Sequence, residues 1–328
     1  MNIFQRYLAE EFAEDYQEGR LSRRDALKLI MSVTGSLIVA NSILAACTPP
    51  PEDIALPDEA PTSTESPVAQ PLPTEASTAA AVPSNSTSPY GTVMPDDPAI
   101  LAKEIAIPTA DAEIIGYLAQ PSGASASPVI LICHENRGLT PHIQDVTRRF
   151  AKAGYVGLAV DLLSRQGGTN AVGSENVPGI LGNIAPDQFV EDFKSGWQYL
   201  QGQPFADTRR VGMTGFCFGG GVTWQVAVHM PELLAAVPFY GPHPLATDVP
   251  TIQAAILAMY GELDGRINGG IPAIEDAMAA NGKIYEKVIY PNADHAFQND
   301  TGSRFNPEAA SDAWARMLGW FEKYVRNA

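Results

Sequence analysis

Three residues with the side chains needed for nucleophilic catalysis follow one another along the second half of the chain: Cys217, Asp264 and His295. A cysteine attacks carbonyl carbon as a thiolate, a histidine accepts and returns the proton, and an acid orients the histidine. Their presence in this order predicts acyl-transfer chemistry with Cys217 as the nucleophile.

The stretch around Cys217 has the pattern of a strand, a sharp turn and a helix. A short apolar run ends in Gly-x-Cys-x-Gly and passes into a helical segment, from Val211 to Ala227. Glycines two residues before and after the cysteine suit a strained turn that lifts one side chain above a sheet. The alternative is a glycine-rich helix start that carries a buried structural cysteine.

The candidate base and the candidate acid are the histidine and the acidic residue that directly follow predicted strands. Of the five histidines, His295 alone lies in a loop after the last strand. His134 ends a strand and could line the site, and the others are assigned to packing, surface or a turn: His142, His229 and His243. Asp264 lies 264 − 217 = 47 residues past the cysteine, directly after a strand, with Glu262 as its substitute. Asp294 is less well placed because sequence neighbours seldom face each other well enough to orient a histidine.

Predicted strands and helices alternate from about Ile100 to the end of the chain, and some strands are continuous apolar runs of the kind buried on both faces of a parallel sheet. This alternation predicts a single α/β domain over residues 99–328, with a doubly wound, mostly parallel sheet and helices on both faces. A glycine-rich loop is expected over residues 164–184. In such a sheet the chemistry lies beyond the carboxyl ends of the strands, and the order nucleophile, acid, histidine is that of the α/β-hydrolase triad.

A cysteine at this turn predicts a definite mechanism. A helix N-terminus and a protonated histidine lower the pKa of a thiol, so we expect a thiolate that attacks an ester or lactone and forms a thioester. The backbone N–H groups of Phe218 and Asn136 are the expected donors to the oxyanion, and His295 then activates water.

Residues 100–328 resemble the dienelactone hydrolase family (carboxymethylenebutenolidases), which has the α/β-hydrolase fold. The resemblance rests on five motifs in the family's order: Gly215-Phe216-Cys217-Phe218-Gly219-Gly220, His134-Glu135-Asn136-Arg137-Gly138, Asp161-Leu162-Leu163-Ser164-Arg165, Gly261-Glu262-Leu263-Asp264 and Asp294-His295-Ala296-Phe297. It implies a triad of Cys217, Asp264 and His295 that needs no cofactor and no metal.

The resemblance also implies roles for two further residues. Glu135 matches a glutamate that interacts with the resting thiol, and Arg165 matches an arginine that grips a substrate carboxylate, although from the residues alone the two read as an ordinary ion pair. The family's dienelactone-specific members carry a second arginine four residues after the histidine, where this chain has Asn299. Arg304 follows in the same loop with a different spacing, so we expect a broader ester or lactone range.

Composition and charge exclude other classes of protein. The formal net charge is −16, and phosphate binding requires a basic face, so nucleic acid is excluded as a partner. The three cysteines, Cys47, Cys133 and Cys217, exclude a disulfide framework. We expect a monomer that acts on a small-molecule ester or lactone.

The first hundred residues predict export and tethering. Residues 1–21 are polar and partly helical in pattern and are expected to form no core, while Arg23 and Arg24 precede a weakly hydrophobic run typical of a twin-arginine signal. The run ends in small residues before Cys47, which resembles a lipobox and predicts cleavage before that residue and lipid attachment to its sulfur. An uncleaved transmembrane anchor is the alternative. Residues 48–98, rich in Pro, Ser, Thr and Ala, predict a flexible stalk of an extracytoplasmic, membrane-anchored lipoprotein.

Two hypotheses of other classes remain open. The first is a lipoprotein that binds an acyl ligand on a hydrolase scaffold without turnover. The second is a redox sensor in which Cys133 and Cys217 form a reversible disulfide, against which stands the simpler role of Cys133 as a small buried apolar residue.

Overall fold

The structure is a computed structural model, and it describes residues 1–46, 91–123 and 125–328. Eight strands form one sheet. Their bounds are β1 Ile100–Pro108, β2 Glu113–Pro121, β3 Ser127–Cys133, β4 Val156–Val160, β5 Ala206–Phe216, β6 Ala235–Phe239, β7 Ala255–Gly261 and β8 Tyr285–Tyr290. The strand order is β1-β2-β4-β3-β5-β6-β7-β8, in which β1 and β2 are antiparallel to their neighbours and the other pairs are parallel. The mostly parallel α/β sheet predicted from the sequence is therefore confirmed.

The apolar runs form the central strands because both of their faces are covered by helices. Every residue of β3, β4, β6 and β7 is buried. The helices are α1 Ile3–Gln17, α2 Arg23–Thr34, α3 Leu37–Ala46, α4 Pro141–Lys152, α5 Thr169–Val172, α6 Val177–Asn183, α7 Pro186–Gln201, α8 Phe218–His229, α9 Gly265–Asn268, α10 Ile271–Ala280 and α11 Pro307–Phe321. A π-helical turn, Glu322–Arg326, extends α11.

The order of the strands places a crevice beside the predicted nucleophile. The chain leaves β3 toward β4 on one side and then crosses to β5 on the other, so the winding reverses between β3 and β5. In open α/β sheets, ligands bind beyond the carboxyl ends of the strands at such a reversal. The loop with Glu135 and Asn136 follows β3, and Cys217 follows β5.

The first 21 residues do contribute to the core, contrary to the sequence-based expectation. Helix α1 begins with a capping box, in which Asn2 and Gln5 exchange hydrogen bonds between side chain and backbone. Its residues Phe4, Leu8 and Phe12 recur every four positions and are buried in the main hydrophobic cluster. Two of the charged residues that made this segment look core-free, Arg6 and Glu10, are exposed, whereas Glu11 is buried.

The segment predicted as a glycine-rich loop, residues 164–184, is also different in the structure because it contains the short helices α5 and α6. Helix α6 packs against α1 and α2, so closely that a Cβ on Gly182 would lie 2.9 Å from Val33 and 3.4 Å from Leu8. This packing of α6 on the N-terminal helices supplies the burial that the local sequence did not reveal.

The predicted stalk overlaps the folded domain at its C-terminal end. The backbone N–H of Val93 donates to Oδ1 of Asp145 across 2.8 Å, and Nε of Arg148 donates to the carbonyl of Val93 across 2.5 Å. Val93 is buried, so the domain's packing begins before residue 99. Cys47 and residues 48–90 lie outside the described residues.

The hydrophobic run before Cys47 forms two short helices. Gly35, at a φ of 68°, ends α2, and α3 begins two residues later. Within the described parts of the chain, none of the helices has both the length and the apolar character required to cross a membrane.

Candidate active site

Cys217 lies at the strained turn between β5 and α8. Its φ of 60° and ψ of −121° are unfavourable for a residue with a side chain, and strain of this kind is typical of functional sites. The flanking glycines permit the turn: a Cβ on Gly215 would lie 2.3 Å from the carbonyl oxygen of Gly219, and one on Gly219 would lie 2.5 Å from that of His134. The Gly-x-Cys-x-Gly spacing is therefore a steric requirement of the turn.

Asp264 and His295 are brought together from the loops after β7 and β8. Nδ1 of His295 lies 2.6 Å from Oδ2 of Asp264, and both side chains are buried. Asp264 also caps α9, because its Oδ1 accepts from the N–H of Ile267, and this second bond fixes the carboxylate. The alternative acids face elsewhere: Glu262 accepts from the N–H of Asn292, and Asp294 accepts from the backbone N–H of His295 itself.

The thiol of Cys217 and the imidazole of His295 share a third partner, the hydroxyl of Tyr7 on α1. This oxygen is 3.1 Å from Sγ of Cys217 and 3.3 Å from Nε2 of His295. The carboxylate of Glu11, one turn further along α1, lies 3.8 and 3.9 Å from Sγ. The candidate triad is therefore covered by α1, and Cys217 and His295 are 3% and 2% exposed.

The environment of Cys217 opposes ionisation, contrary to the expected lowered pKa. Burial and, next, the negative charge of Glu11 raise the pKa of the Cys217 thiol, and the charge of Glu135 adds to this against the opposing effect of His295. Burial also disfavours the charged imidazole, but Asp264 and the thiol outweigh it and raise the pKa of His295. With α1 in place, the protonated thiol is favoured.

Glu135 lies at the floor of the same crevice and is bound by Asn299. Nδ2 of Asn299 donates to Oε2 of Glu135 across 2.8 Å, so the residue at the position of the family's second arginine holds the glutamate. Burial raises the pKa of Glu135, an effect that the nearby His142, His295 and other polar groups partly offset. Glu135 is therefore a buried neighbour of the thiol and is not the ion-pair partner of Arg165.

The residues expected at the oxyanion site lie on both sides of the crevice. Phe218 is the first residue of α8, immediately after Cys217, and its side chain is buried. Asn136 lies in the loop after β3, and its side-chain Nδ2 donates to Oε1 of Glu11 across 3.1 Å. A carboxylate oxygen from α1 thus lies beside Asn136, close to the sulfur.

Arg165 is held by acids outside this cluster. Its Nη1 donates to Oδ1 of Asp192 across 2.6 Å, and its Nη2 lies 3.3 Å from Oδ1 of Asp111. Asp192 is almost fully buried, so the guanidinium neutralises an otherwise unpaired interior charge. The role of Arg165 in gripping a substrate carboxylate stays a prediction.

His134, His142 and Cys133 lie outside the candidate triad. Nδ1 of His134 donates to the carbonyl of Glu135, and its Nε2 accepts from the N–H of Leu162, which ties the loop after β3 to the loop after β4. His142 lies 3.0 Å from Asp300. Cys133 and Cys217 are free thiols, and Cys133 is part of the hydrophobic core.

Sequence reasoning missed Tyr7 and Glu11. A signal was present, since Phe4, Tyr7, Leu8, Glu11 and Phe12 recur at the three- and four-residue spacing of one helix face. What that spacing does not reveal is the surface against which the face packs.

Glu11, Cys217 and His295 are also of residue types that bind zinc, and their ligand atoms lie within 4.8 Å of one another. The hydroxyl of Tyr7 lies within hydrogen-bonding distance of both Cys217 and His295.

Comparisons with known proteins agree with the fold and with the family expected from the sequence. The family model described as "Dienelactone hydrolase family" matches residues 114–325. Proteins of Methylorubrum extorquens and Escherichia coli K12, both provisionally named carboxymethylenebutenolidases, are each 34% identical, over 71% and 70% of this chain and 84% and 89% of their own lengths. A crystal structure from Klebsiella pneumoniae, provisionally titled a dienelactone hydrolase, is 32% identical with a TM-score of 0.64 and covers 69% of this chain and all of its own. The chain belongs to the dienelactone hydrolase family.

Proposed function

We propose that this enzyme hydrolyses carboxylic esters or lactones, with Cys217 as nucleophile, His295 as base and Asp264 as the acid that orients the base. The observation that carries the proposal is the 2.6 Å contact between Nδ1 of His295 and Oδ2 of Asp264. This contact fixes the proton on Nδ1, so Nε2, which lies 3.3 Å from the Tyr7 hydroxyl, is the nitrogen that can accept the proton of Cys217.

Each step of the reaction has a group to perform it. His295 takes the thiol proton, and the sulfur of Cys217 attacks the acyl carbon. The C–O bond to the leaving alkoxide then breaks, and that alkoxide receives the proton from His295, which leaves a thioester. Water attacks the thioester with its proton passing to His295, and the C–S bond breaks to return the thiol and a carboxylic acid. In a lactone the leaving oxygen stays attached, and the ring opens.

The residue at position 299 bears on the substrate range. Asn299 is engaged with Glu135 and carries no charge with which to bind a substrate carboxylate. We therefore infer activity on neutral as well as anionic esters and lactones.

The test is a substrate panel of neutral and anionic esters and lactones, measured with the native sequence and with Cys217→Ala. The chain should be assayed both intact and after cleavage in the 47–90 segment, because α1 covers Cys217 and His295 in the intact chain. We expect turnover that Cys217→Ala abolishes, and a thioester adduct on the peptide with Cys217 in rapidly quenched samples. Full activity of Cys217→Ala, or no turnover of any compound by either form, would overturn the proposal. Saturable binding without product would favour the ligand-binding alternative.

We also propose that the enzyme is exported by the twin-arginine route and tethered outside the cytoplasm through lipid on Cys47. The support is the Arg23-Arg24 pair, whose side chains are exposed at the first turn of α2, and the small residues before Cys47. Replacing both arginines by lysine should keep the protein in the cytoplasm of a bacterial host, while Cys47→Ala should abolish incorporation of labelled fatty acid. Unchanged fractionation of both variants would contradict the proposal.

A further inference from the structure

Helix α1 occupies the space that a substrate of Cys217 needs. The hydroxyl of Tyr7 is within hydrogen-bonding distance of both the attacking sulfur and the imidazole nitrogen that receives its proton. In a working acyl-transfer site, the reacting carbonyl and later the attacking water approach this position. Burial of Cys217 and His295 beneath α1 excludes both.

Glu11 lies against the sulfur, in space that an acyl group must enter to be attacked. Its carboxylate accepts a hydrogen bond from Asn136, is less than 4 Å from Sγ of Cys217, and is only 5% exposed. A substrate in position for attack must bring its carbonyl carbon within about 3.5 Å of the sulfur. The glutamate and a bound substrate therefore exclude each other.

The docking of α1 is specific, because several side chains of the catalytic domain fit it. The ring of Phe4 packs against the rings of Phe189 and Phe218, with centroids 5.2 and 4.7 Å apart. Arg266 stacks on the ring of Tyr7 at 4.7 Å and donates from Nε to Glu14 across 2.9 Å. The cleft above the thiol is thus an apolar groove with a cationic side, matched to an acidic amphipathic helix.

We propose that α1 is an intramolecular inhibitor that fills the acyl site of this hydrolase with Tyr7 and Glu11, and that activity requires the helix to leave. This inference rests on the proposed function for the identity of the site. The cleavage predicted before Cys47 would remove residues 1–46, and with them α1. Maturation of the exported protein would then also be its activation.

An alternative role for the same contacts is that α1 forms a permanent wall of the active site. In that case Tyr7 would assist proton transfer, and loss of the helix would lower activity. The two roles therefore predict opposite effects when α1 is released.

The experiment uses the full chain with a protease recognition sequence inserted between residues 48 and 90, so that the protein folds intact and is cut afterwards. The N-terminal segment is removed by gel filtration. Two rates are then compared with the uncut protein: alkylation of Cys217 by iodoacetamide, and hydrolysis of an activated ester. We expect both rates to rise at least about tenfold, and a synthetic peptide of residues 1–46 to reverse the increase in proportion to its concentration.

A pair of point variants of the uncut chain gives an independent measurement. Glu11→Lys places a cation beside Asn136 and Arg266 and should release α1, so the maximal rate of Cys217 alkylation, reached at high pH where the thiol is fully ionised, should increase several-fold. Glu10→Lys makes the same charge change on the exposed face of α1 and should leave the rate unchanged. Circular dichroism and thermal unfolding establish that both variants are folded. If the cut N-terminal segment stays bound to the domain during gel filtration, the comparison of these two variants tests the inhibitor proposal by itself.

The outcomes separate the two proposals. Equal alkylation rates before and after release, or equal rates in Glu11→Lys and Glu10→Lys, overturn the inhibitor proposal even if the ester is hydrolysed. A fall in hydrolysis on release also overturns it, in favour of a permanent role for α1. Faster alkylation on release, without hydrolysis of any ester or lactone, supports the occlusion by α1 and overturns the proposed hydrolase function.

Discussion

Asn299 binds Glu135 through a hydrogen bond of 2.8 Å from Nδ2 to Oε2, which joins the loop after β8 to the loop after β3 across the crevice. The residue that replaces a substrate-binding arginine in this chain therefore has a structural partner of its own. Glu135 is 7% exposed, so its carboxyl has little access to water as a substitute partner.

Truncating this amide should destabilise the protein. Asn299→Ala leaves a buried carboxyl without a donor, so the free energy of unfolding should fall by about 1–3 kcal/mol in urea titrations. Ser303→Ala, at an exposed position of the same loop, should stay within about 0.5 kcal/mol of the native protein. Equal stability of the two variants would show that the Asn299–Glu135 bond contributes nothing.

Arg165 should behave as a structural residue. Because Arg165→Ala leaves the buried Asp192 unpaired, we expect the free energy of unfolding to fall by about 3 kcal/mol. Arg209→Ala removes an equivalent contact to Asp207 from a side chain that is 90% exposed and should cost less than about 1 kcal/mol. A rise in KM confined to anionic substrates, with unchanged stability, would instead support the role of Arg165 in substrate binding.

The two acids after β7 should differ in their effect on turnover. Asp264→Asn keeps the size of the side chain but loses the charge that orients and stabilises the imidazolium, so kcat/KM should fall by about 10³–10⁴. Glu262→Gln removes a charge two residues away that faces the backbone of Asn292 and should change kcat/KM less than about threefold. A large loss in Glu262→Gln alone would reassign the acid.

The charge of Glu11 should be visible in the pH dependence of thiol alkylation. The pKa of Cys217 is raised by burial and then by Glu11, so removing the negative charge favours the thiolate and lowers that pKa. The rate of alkylation, which follows the thiolate, should therefore reach its midpoint at lower pH in Glu11→Gln than in the native chain. A change in access also alters the maximal rate, so a shifted midpoint with an unchanged maximal rate assigns the effect to the charge of Glu11.

The exposed position 10 provides the control for this titration. Glu10→Gln should leave the midpoint unchanged because the side chain lies on the outer face of α1. A midpoint in Glu11→Gln that stays in place or moves to higher pH would contradict the assigned contact between Glu11 and the thiol.

Much of the site could be predicted from the sequence because its requirements are local. The glycines around Cys217 reflect the small space at a strained turn, and that space is set by neighbours within a few residues and by the adjacent strand. The apolar runs of β3 and β7 reveal strands that are covered on both faces. Once the sheet is parallel, Asp264 and His295 must emerge at the same edge, so their meeting follows from their places after β7 and β8.

The contacts of the first helix could not be predicted in this way. The spacing of Phe4, Leu8 and Phe12 determines that α1 is an amphipathic helix, but a helical period carries no information about which distant surface it covers. Likewise, nothing near Arg165 in the sequence indicates that its partner is Asp192, on α7.

The sequence by itself determined the fold class, the strained turn at Cys217 and the order of nucleophile, acid and histidine, because these depend on local backbone geometry and strand burial. Only the tertiary structure decided that Tyr7 and Glu11 lie against the thiol and that its pKa is raised. The contacts depend on the packing of α1, a helix about two hundred residues away along the chain. The raised pKa follows from the burial of the thiol and from the negative charge of Glu11.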